Sequence, residues 1–138
     1  MKKYILYAED DHDDFDLMKK AFKEVNPEIE LINATSGQEV IRFLQERNNS
    51  SYPFLILMDK KMPVMNGMET IDLLKSDEKF SDIPVVLFST STSTKEERQI
   101  NEAGIELIKK PSFYEEWVRI AKELGRYSSV MALLTIVR

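Results

Sequence analysis

The sequence predicts an open α/β fold, a parallel sheet with helices packed on both faces, and three observations support it. Short aliphatic and β-branched runs alternate with longer amphipathic stretches, which is typical of repeated βα units. Residues 54–58 and 85–88 are continuously apolar, as central parallel strands are when both faces are covered. A chain of 138 residues also fits one domain around a single core.

Five strands are predicted in order, at residues 4–8, 29–34, 54–58, 85–89 and 105–109. The helices between and after them are indicated by apolar residues at helical spacing. These residues are Phe15, Met18, Phe22 and Val25; Val40, Ile41 and Leu44; Met68, Ile71 and Leu74; and Trp117, Ile120, Ala121 and Leu124. A further helix at 94–103 is mostly charged and has only Ile100 and Ala103 to pack, so it is a candidate partner-facing element.

Residues 1–127 account for this domain, and residues 128–138 form an apolar tail of uncertain structure. The tail could continue the last helix, add a strand to an edge or a partner, or be an appended segment. Its run at 130–137 would be an exposed apolar patch if nothing covered it, so a homodimer formed through this run is a hypothesis.

Composition excludes several classes of function. Lys and Arg number 19 against 24 Asp and Glu, a net charge of −5, which argues against nucleic acid as a partner. The absence of cysteine excludes disulfides and thiolate metal sites. No export signal is evident, and the longest apolar run is far below the ~20 residues that span a bilayer, so we expect a cytoplasmic protein without a membrane partner.

Polar side chains occur where the predicted strands end, at Glu9, Asp10, Asp59, Ser89 and Lys110. Ligands of open α/β sheets bind at the carboxyl ends of the strands, so we expect these side chains to converge. Crowded carboxylates suit a hard cation such as Mg²⁺. With the cation bound, Asp59 could attack a phosphoryl group as a nucleophile, while Ser89 and Lys110 hold the phosphoryl oxygens.

The acidic run has a simpler interpretation as well. Carboxylates are favoured at the start of a helix by the helix dipole, which is the only role expected for Asp13, Asp14 and Asp16. Glu9 and Asp10 taken alone could serve the same purpose.

The other site residues also have simpler interpretations. Ser89 opens a run of serine and threonine that could cap the next helix. Lys110, next to Lys109, could belong to a solvated basic pair. Residues 62–67 could form an ordinary loop.

Four blocks of the sequence together resemble the signature blocks of response-regulator receiver domains of two-component signalling. They are ILYAEDD at 5–11, LMDKKMPVMNG at 57–67, VVLFST at 85–90 and the Lys110-Pro111 pair, and the resemblance covers residues 3–126. It implies a doubly wound (βα)5 fold whose five-stranded parallel sheet has the flavodoxin-like order 2-1-3-4-5.

The resemblance assigns a role to each matching acid. Asp59 would be the phosphoacceptor, receiving its phosphoryl group from a sensor histidine kinase or a histidine phosphotransfer protein. Asp10 would bind Mg²⁺ directly and Glu9 through water. Asp59 and the backbone carbonyl of Lys61 would complete the metal site.

It also assigns roles near the last two strands. Ser89 would bond a phosphoryl oxygen, and Lys110 would pair with the phosphate or, before it arrives, with Asp59. A cis peptide at Lys110-Pro111 would aim this lysine inward. Many receivers have an aromatic switch residue three positions before the lysine, but here that residue is Leu107, so this relay is not carried over.

The predicted function is that of a stand-alone response regulator, a phosphorylation-controlled switch acting on a downstream protein partner. It is not an enzyme beyond self-phosphorylation and autodephosphorylation at Asp59. The family's usual output surface corresponds to residues 95–99, Glu106 and residues 117–122. One alternative is a Mg²⁺-dependent phosphatase, but such enzymes usually place an acid where Lys61 stands. The other is a receiver-like module that binds partners without phosphorylation.

Overall fold

The structure is a computed structural model and describes residues 3–129. Five strands alternate with five α-helices in this part of the chain, and a short 3-10 turn spans Asn49–Ser51. The elements are β1 (Tyr4–Ala8), α1 (His12–Val25), β2 (Glu30–Ala34), α2 (Gly37–Gln45), β3 (Leu55–Asp59), α3 (Gly67–Ser76), β4 (Val85–Ser89), α4 (Thr94–Glu102), β5 (Glu106–Lys109) and α5 (Tyr114–Gly125). The predicted role of the tail in self-association lies outside the described residues.

All five strands are parallel, and their order is β2-β1-β3-β4-β5, which confirms the predicted fold. The register pairs Ala8 with Met58 and Asp59 with Phe88. Strands β1, β3 and β4 therefore end at nearly the same level. Side chains at these ends share one edge of the sheet although they are far apart in the sequence.

Apolar side chains form one cluster on each face of the sheet. Alternate residues of a strand point to opposite faces, so each strand contributes to both clusters. The α2–α3 face includes Leu6, Val40, Leu44, Ile56, Ile71 and Leu87. The α1–α5 face includes Ile5, Tyr7, Met18, Phe22, Leu57, Phe88, Trp117 and Leu124. The continuously apolar strands predicted from the sequence are thus buried on both sides.

Helix α4 differs in detail from its prediction. It begins with a capping box in which the Ser93 hydroxyl accepts from the Glu96 N–H and the Glu96 carboxylate accepts from the Ser93 N–H. Ile100 is buried as predicted. Ala103 is exposed, contrary to the prediction, because the helix ends at Glu102 and Ala103 forms its cap.

The predicted output surface is only partly on the outside. Residues 95 and 97–99 and Glu106 are exposed. Trp117 and Ile120 of α5 are buried instead, because they belong to the apolar stripe that packs on the sheet. Among residues 3–129, no helix has both the length and the apolar composition that crossing a bilayer requires.

Candidate functional site

Three carboxylates meet at the carboxyl edge of the sheet. One carboxylate oxygen from each of Glu9, Asp10 and Asp59 can be chosen so that all three lie within 4.8 Å of one another. Glu9 is fully buried and Asp59 is 6% exposed, whereas Asp10 is exposed. Helix α1 begins only at His12, after its cap Asp11, so the helix start does not account for Glu9 and Asp10. The neighbouring strands β1 and β3 bring these acids together.

Buried Glu9 is surrounded by hydrogen-bond donors. Its Oε1 accepts from the Tyr7 hydroxyl at 3.0 Å and from the Lys110 ammonium at 2.6 Å, and its Oε2 accepts from the Asp11 N–H at 3.3 Å. Burial and the nearby Asp59 raise the pKa of Glu9 to about 7, although Lys110 opposes the shift. Burial therefore disfavours the charged form of Glu9, and a cation bound beside it would favour that form.

Lys110 provides the cation of the pocket. Its Nζ lies 2.6 Å from Glu9, 2.7 Å from Asp14 and 3.5 Å from Asp59, and its side chain is 7% exposed. Burial lowers the pKa of Lys110, but its hydrogen bonds to Asp14 and Glu9 outweigh that cost and the net shift is upward. The interpretation of Lys110 as a solvated lysine is therefore wrong.

The backbone of Lys110 extends the pairing of β5 with β4 by one residue, since its N–H donates to the Ser89 carbonyl at 2.8 Å. The described residues contain no cis peptide bond, so the prediction of one at Lys110-Pro111 is wrong for this structure. The trans form is the lower in energy for X–Pro bonds in general. The lysine reaches the acids from this backbone without a cis bond.

Asp14 and Tyr7 are the two pocket residues that the sequence reasoning missed. The sequence predicts for Asp14 only a role at the start of α1, yet its carboxylate also accepts from the Lys110 ammonium. It predicts for Tyr7 only a place in a strand, yet the Tyr7 hydroxyl donates to Glu9. Alternation along β1 gives a usable signal for Tyr7, because residues 7 and 9 point to the same face. No sequence pattern indicates that Asp14 faces Lys110.

Ser89 ends β4 and is 2% exposed. Its hydroxyl donates to the Ser91 carbonyl at 3.0 Å. The cap of α4 is Ser93, so Ser89 is not the capping residue that the alternative interpretation required. Its position places it beside the pocket, but its hydroxyl is directed to the backbone.

A second lysine borders the pocket. The Lys60 ammonium lies 3.5 Å from the Ser91 carbonyl and forms a close ion pair with Glu96. The hydrogen bond that the Glu96 carboxylate accepts from Lys60, together with the one that it accepts from the Ser93 N–H, lowers the pKa of Glu96 to about 2. The Ser91 carbonyl thus contacts both the Ser89 hydroxyl and a lysine that reaches helix α4.

The loop after β3 wraps closely around Asp59. The Lys61 N–H donates to Asp59 Oδ1 at 3.2 Å, and the Gly67 N–H donates to the Lys60 carbonyl at 3.0 Å. A Cβ on Gly67 would lie 2.6 Å from the Asp59 carbonyl oxygen. Val64 has a positive φ of 68° and is 84% exposed. These contacts fix the backbone next to Asp59 but do not exclude the interpretation of residues 62–67 as an ordinary loop, and the Lys61 carbonyl as a metal ligand stays a prediction.

The chemistry of the acid cluster suits Mg²⁺. Carboxylate oxygens are hard ligands, and Mg²⁺ commonly uses one or two of them while it keeps several waters. Asp10 is exposed, so water can reach the cluster on its side. The donors Glu9, Asp10 and Asp59 therefore fit this ion.

The strand order and the acid-lined pocket at its carboxyl edge define an α/β domain of the receiver class. The sequence profile of the response regulator receiver domain matches residues 5–121, and the chain belongs to this family. It is therefore a receiver domain of two-component systems, which is a signalling domain. The predicted family is confirmed.

Related proteins differ in how much of their length the chain spans. It is 30% identical over 127 residues to the probable methanogenesis regulatory protein FilR2 of Methanothrix harundinacea (strain 6Ac), covering 89% of this chain and 81% of FilR2. It is 32% identical over 114 residues to the polar-differentiation response regulator DivK of Brucella ovis, covering 80% and 86%. It spans only 32% of a protein-glutamate methylesterase/protein-glutamine glutaminase of Methanococcoides burtonii, with 32% identity over 119 residues and 81% of this chain covered.

Two solved structures resemble the whole described fold. The phosphorylated cyanobacterial phytochrome response regulator RcpA has a TM-score of 0.80 at 27% identity, with 92% of this chain and 94% of that one covered. The Mn²⁺-bound form of the response regulator Rcp1 has a TM-score of 0.77 at 26% identity, with 90% and 92% covered.

Proposed function

We propose that Asp59 accepts a phosphoryl group from a phosphohistidine of a sensor histidine kinase or histidine phosphotransfer protein, with Mg²⁺. Phosphorylation then switches a surface that binds a downstream protein. The observation that carries this proposal is the position of Asp59, buried among Glu9, Asp10 and Lys110 at the sheet edge. Both a phosphorylated and a Mn²⁺-bound structure among the similar response regulators support it.

The acceptor step needs no general base. An ionised Asp59 oxygen attacks phosphorus, a new O–P bond forms, and the P–N bond to the donor histidine breaks with its electron pair going to the imidazole. Glu9, Asp10, Asp59 and the Lys61 carbonyl would hold Mg²⁺, which supplies positive charge against the phosphoryl oxygens.

The protein's own positive and donor groups would then hold the product. Lys110 is close enough to Asp59 to pair with an attached phosphoryl group after a short movement of its ammonium. The Ser89 hydroxyl must leave the Ser91 carbonyl to donate to the same group. That rotation removes one of the two donors of the Ser91 carbonyl. The other donor is the Lys60 ammonium, which also forms an ion pair with Glu96 at the start of α4.

This connection offers a route from the site to α4 that needs no aromatic switch. Leu107 is half-buried against the α2–α3 face of the core. The proposal is that loss of the Ser89–Ser91 hydrogen bond shifts the Ser91 carbonyl and the Lys60–Glu96 ion pair, and thereby alters the start of α4. The proposal also includes a cytoplasmic location.

The test is direct phosphorylation. The protein is incubated with Mg²⁺ and acetyl phosphate, next to Asp59→Asn and to Asp72→Asn, which removes an exposed carboxylate elsewhere, on α3. We expect one acid-stable adduct, labile to base and hydroxylamine, on the parent and on Asp72→Asn. Asp59→Asn should carry none, and intact-mass measurement reads each result.

Other outcomes identify the alternatives. No adduct, either with acetyl phosphate or with phosphorylated kinase, would contradict the proposal and favour a module that binds partners without phosphorylation. Steady turnover of unrelated phosphomonoesters would favour the phosphatase.

A further inference from the structure

The backbone of Asp14 takes part in the cap of α1, whereas its side chain forms an ion pair with Lys110. Asp14 lies in the first turn of α1, where its N–H is 3.3 Å from the Asp11 carboxylate, an ordinary capping contact. Its own carboxylate is turned inward, with Oδ2 2.7 Å from the Lys110 Nζ and the side chain 24% exposed. The capping function uses only the backbone of Asp14, so its carboxylate is available to the pocket.

The distances around Lys110 show which acids hold it. The ammonium is 2.6 Å from Glu9 and 2.7 Å from Asp14, the lengths of charge-assisted hydrogen bonds. Its distance to Asp59 is 3.5 Å, the limit of a hydrogen bond. Lys110 is therefore held mainly by the end of β1 and the start of α1, and only weakly by the proposed acceptor.

Resting on the proposed function, we infer that Asp14 is a positioning residue that restrains Lys110 and thereby weakens the hold of the pocket on a phosphoryl group. Two effects act in the same direction. The Asp14–Lys110 bond has to lengthen or break when the ammonium turns toward a phosphoryl group on Asp59. The negative charge of Asp14 also offsets the attraction of Lys110 for an anion. Removing this carboxylate should therefore strengthen phosphoryl binding.

Asp13 provides a matched control. It is the neighbouring residue in the same first turn, carries the same charge and has its N–H 2.9 Å from the same Asp11 carboxylate. It is exposed, and the acids within ion-pair distance of Lys110 are Glu9, Asp14 and Asp59. Neutralising Asp13 thus removes the favourable helix-dipole charge without releasing Lys110.

The experiment measures binding of beryllium fluoride, a phosphoryl mimic, in the presence of Mg²⁺ by isothermal titration calorimetry. We expect Asp14→Asn to bind it roughly three- to tenfold more tightly than the parent, since one charge-assisted hydrogen bond no longer competes. Asp13→Asn should stay within about twofold of the parent, since a distant exposed charge is largely screened. Asp14→Glu keeps the negative charge, so its affinity for beryllium fluoride should be closer to that of the parent than to that of Asp14→Asn.

A gain of affinity is a readout that damage to the fold does not produce, and thermal denaturation of each variant checks that it is folded. If the parent binds and Asp14→Asn binds equally or more weakly, or if Asp13→Asn shows the same gain, this inference is overturned and the proposed function stands. If the parent does not bind beryllium fluoride at all, both fail.

Discussion

Single side chains at the sheet edge have different roles although they carry the same charge. Asp11 caps α1, Asp14 bonds Lys110, and Glu9 is buried with a raised pKa. The two lysines differ as well, because Lys110 lies within the acid cluster and Lys60 reaches across to Glu96. Contacts, more than residue type, determine the role of each group.

A first prediction concerns the pKa of Glu96. It lies at about 2 instead of the ordinary 4.5, mainly because of the Lys60 ammonium. The stability that this shift contributes is present above about pH 4.5 and is lost as the pH falls toward 2. Lys60→Met should raise the Glu96 pKa toward its ordinary value, as measured by NMR titration of the side-chain carboxyl carbon.

Lys61→Met is the control for this measurement, since it removes the same charge from the adjacent exposed position. It should leave the Glu96 pKa nearly unchanged. An unshifted pKa in Lys60→Met would show that the ion pair does not persist in solution.

At the scale of elements, the loop between β3 and α3 packs the start of α3 closely against the backbone of Asp59. Gly67 begins α3 directly behind Asp59, and its missing Cβ leaves room for the backbone of residues 59 and 60. The capping box of α3, formed by Asn66 and Glu69, fixes where the helix starts. The position of the acceptor backbone therefore depends on the helix that follows it.

A second prediction follows from this packing. Gly67→Ala places a Cβ 2.6 Å from the Asp59 carbonyl oxygen and 3.0 Å from the Lys60 Cα, so backbone must shift. We expect the free energy of unfolding to fall by roughly 1–3 kcal/mol, as in other overpacked sites. The rate of phosphorylation by acetyl phosphate should fall as well, because the shift reaches Asp59. Urea denaturation and intact-mass kinetics measure the two effects.

Gly104→Ala separates these two effects. Gly104 has a φ of 72°, but no atom lies within 4 Å of its added Cβ. Only backbone strain should result, about 1 kcal/mol of stability, with normal phosphorylation. Equal phosphorylation rates in the two variants would contradict the proposed link between Gly67 and the acceptor.

At the scale of the whole molecule, the sheet joins segments that are distant in the chain. Residues 9, 59 and 110 meet because β1 lies beside β3 and β4 lies between β3 and β5. Binding at this edge therefore acts on several elements together. A ligand that binds only the folded arrangement stabilises the whole domain.

A third prediction is that Mg²⁺ raises the melting temperature. At 100 times its dissociation constant, a ligand of the folded state adds about 2.7 kcal/mol to the free energy of unfolding. The melting temperature of the parent should rise with Mg²⁺ and return when EDTA removes it, as followed by circular dichroism. Asp10→Asn should lose most of the rise, whereas the surface variant Asp72→Asn should keep it. A similar rise in Asp10→Asn would argue that the ion binds elsewhere.

The fold and much of the pocket could be predicted from the sequence because both depend on local patterns. Apolar runs predicted β3 and β4, since strands covered on both faces carry no polar alternation. Acids at strand ends predicted that Glu9 and Asp59 converge, because parallel strands end at one edge. The burial predicted for Ala103 was wrong because the helix ends before it, and the output surface predicted at 117–122 was wrong where it included Trp117 and Ile120, which the apolar stripe of α5 buries.

What the sequence determined by itself is the order of βα units, the family and the identity of the acids, the serine and the lysine at the strand ends. Only the tertiary structure decided which acids hold Lys110. Asp14 and Asp13 are adjacent acids in one helical turn, but helix geometry turns one inward and leaves the other in water. The Asp14–Lys110 contact spans 96 positions, and its length depends on how α1 packs beside the end of β5. Local sequence patterns carry no information about such a distance.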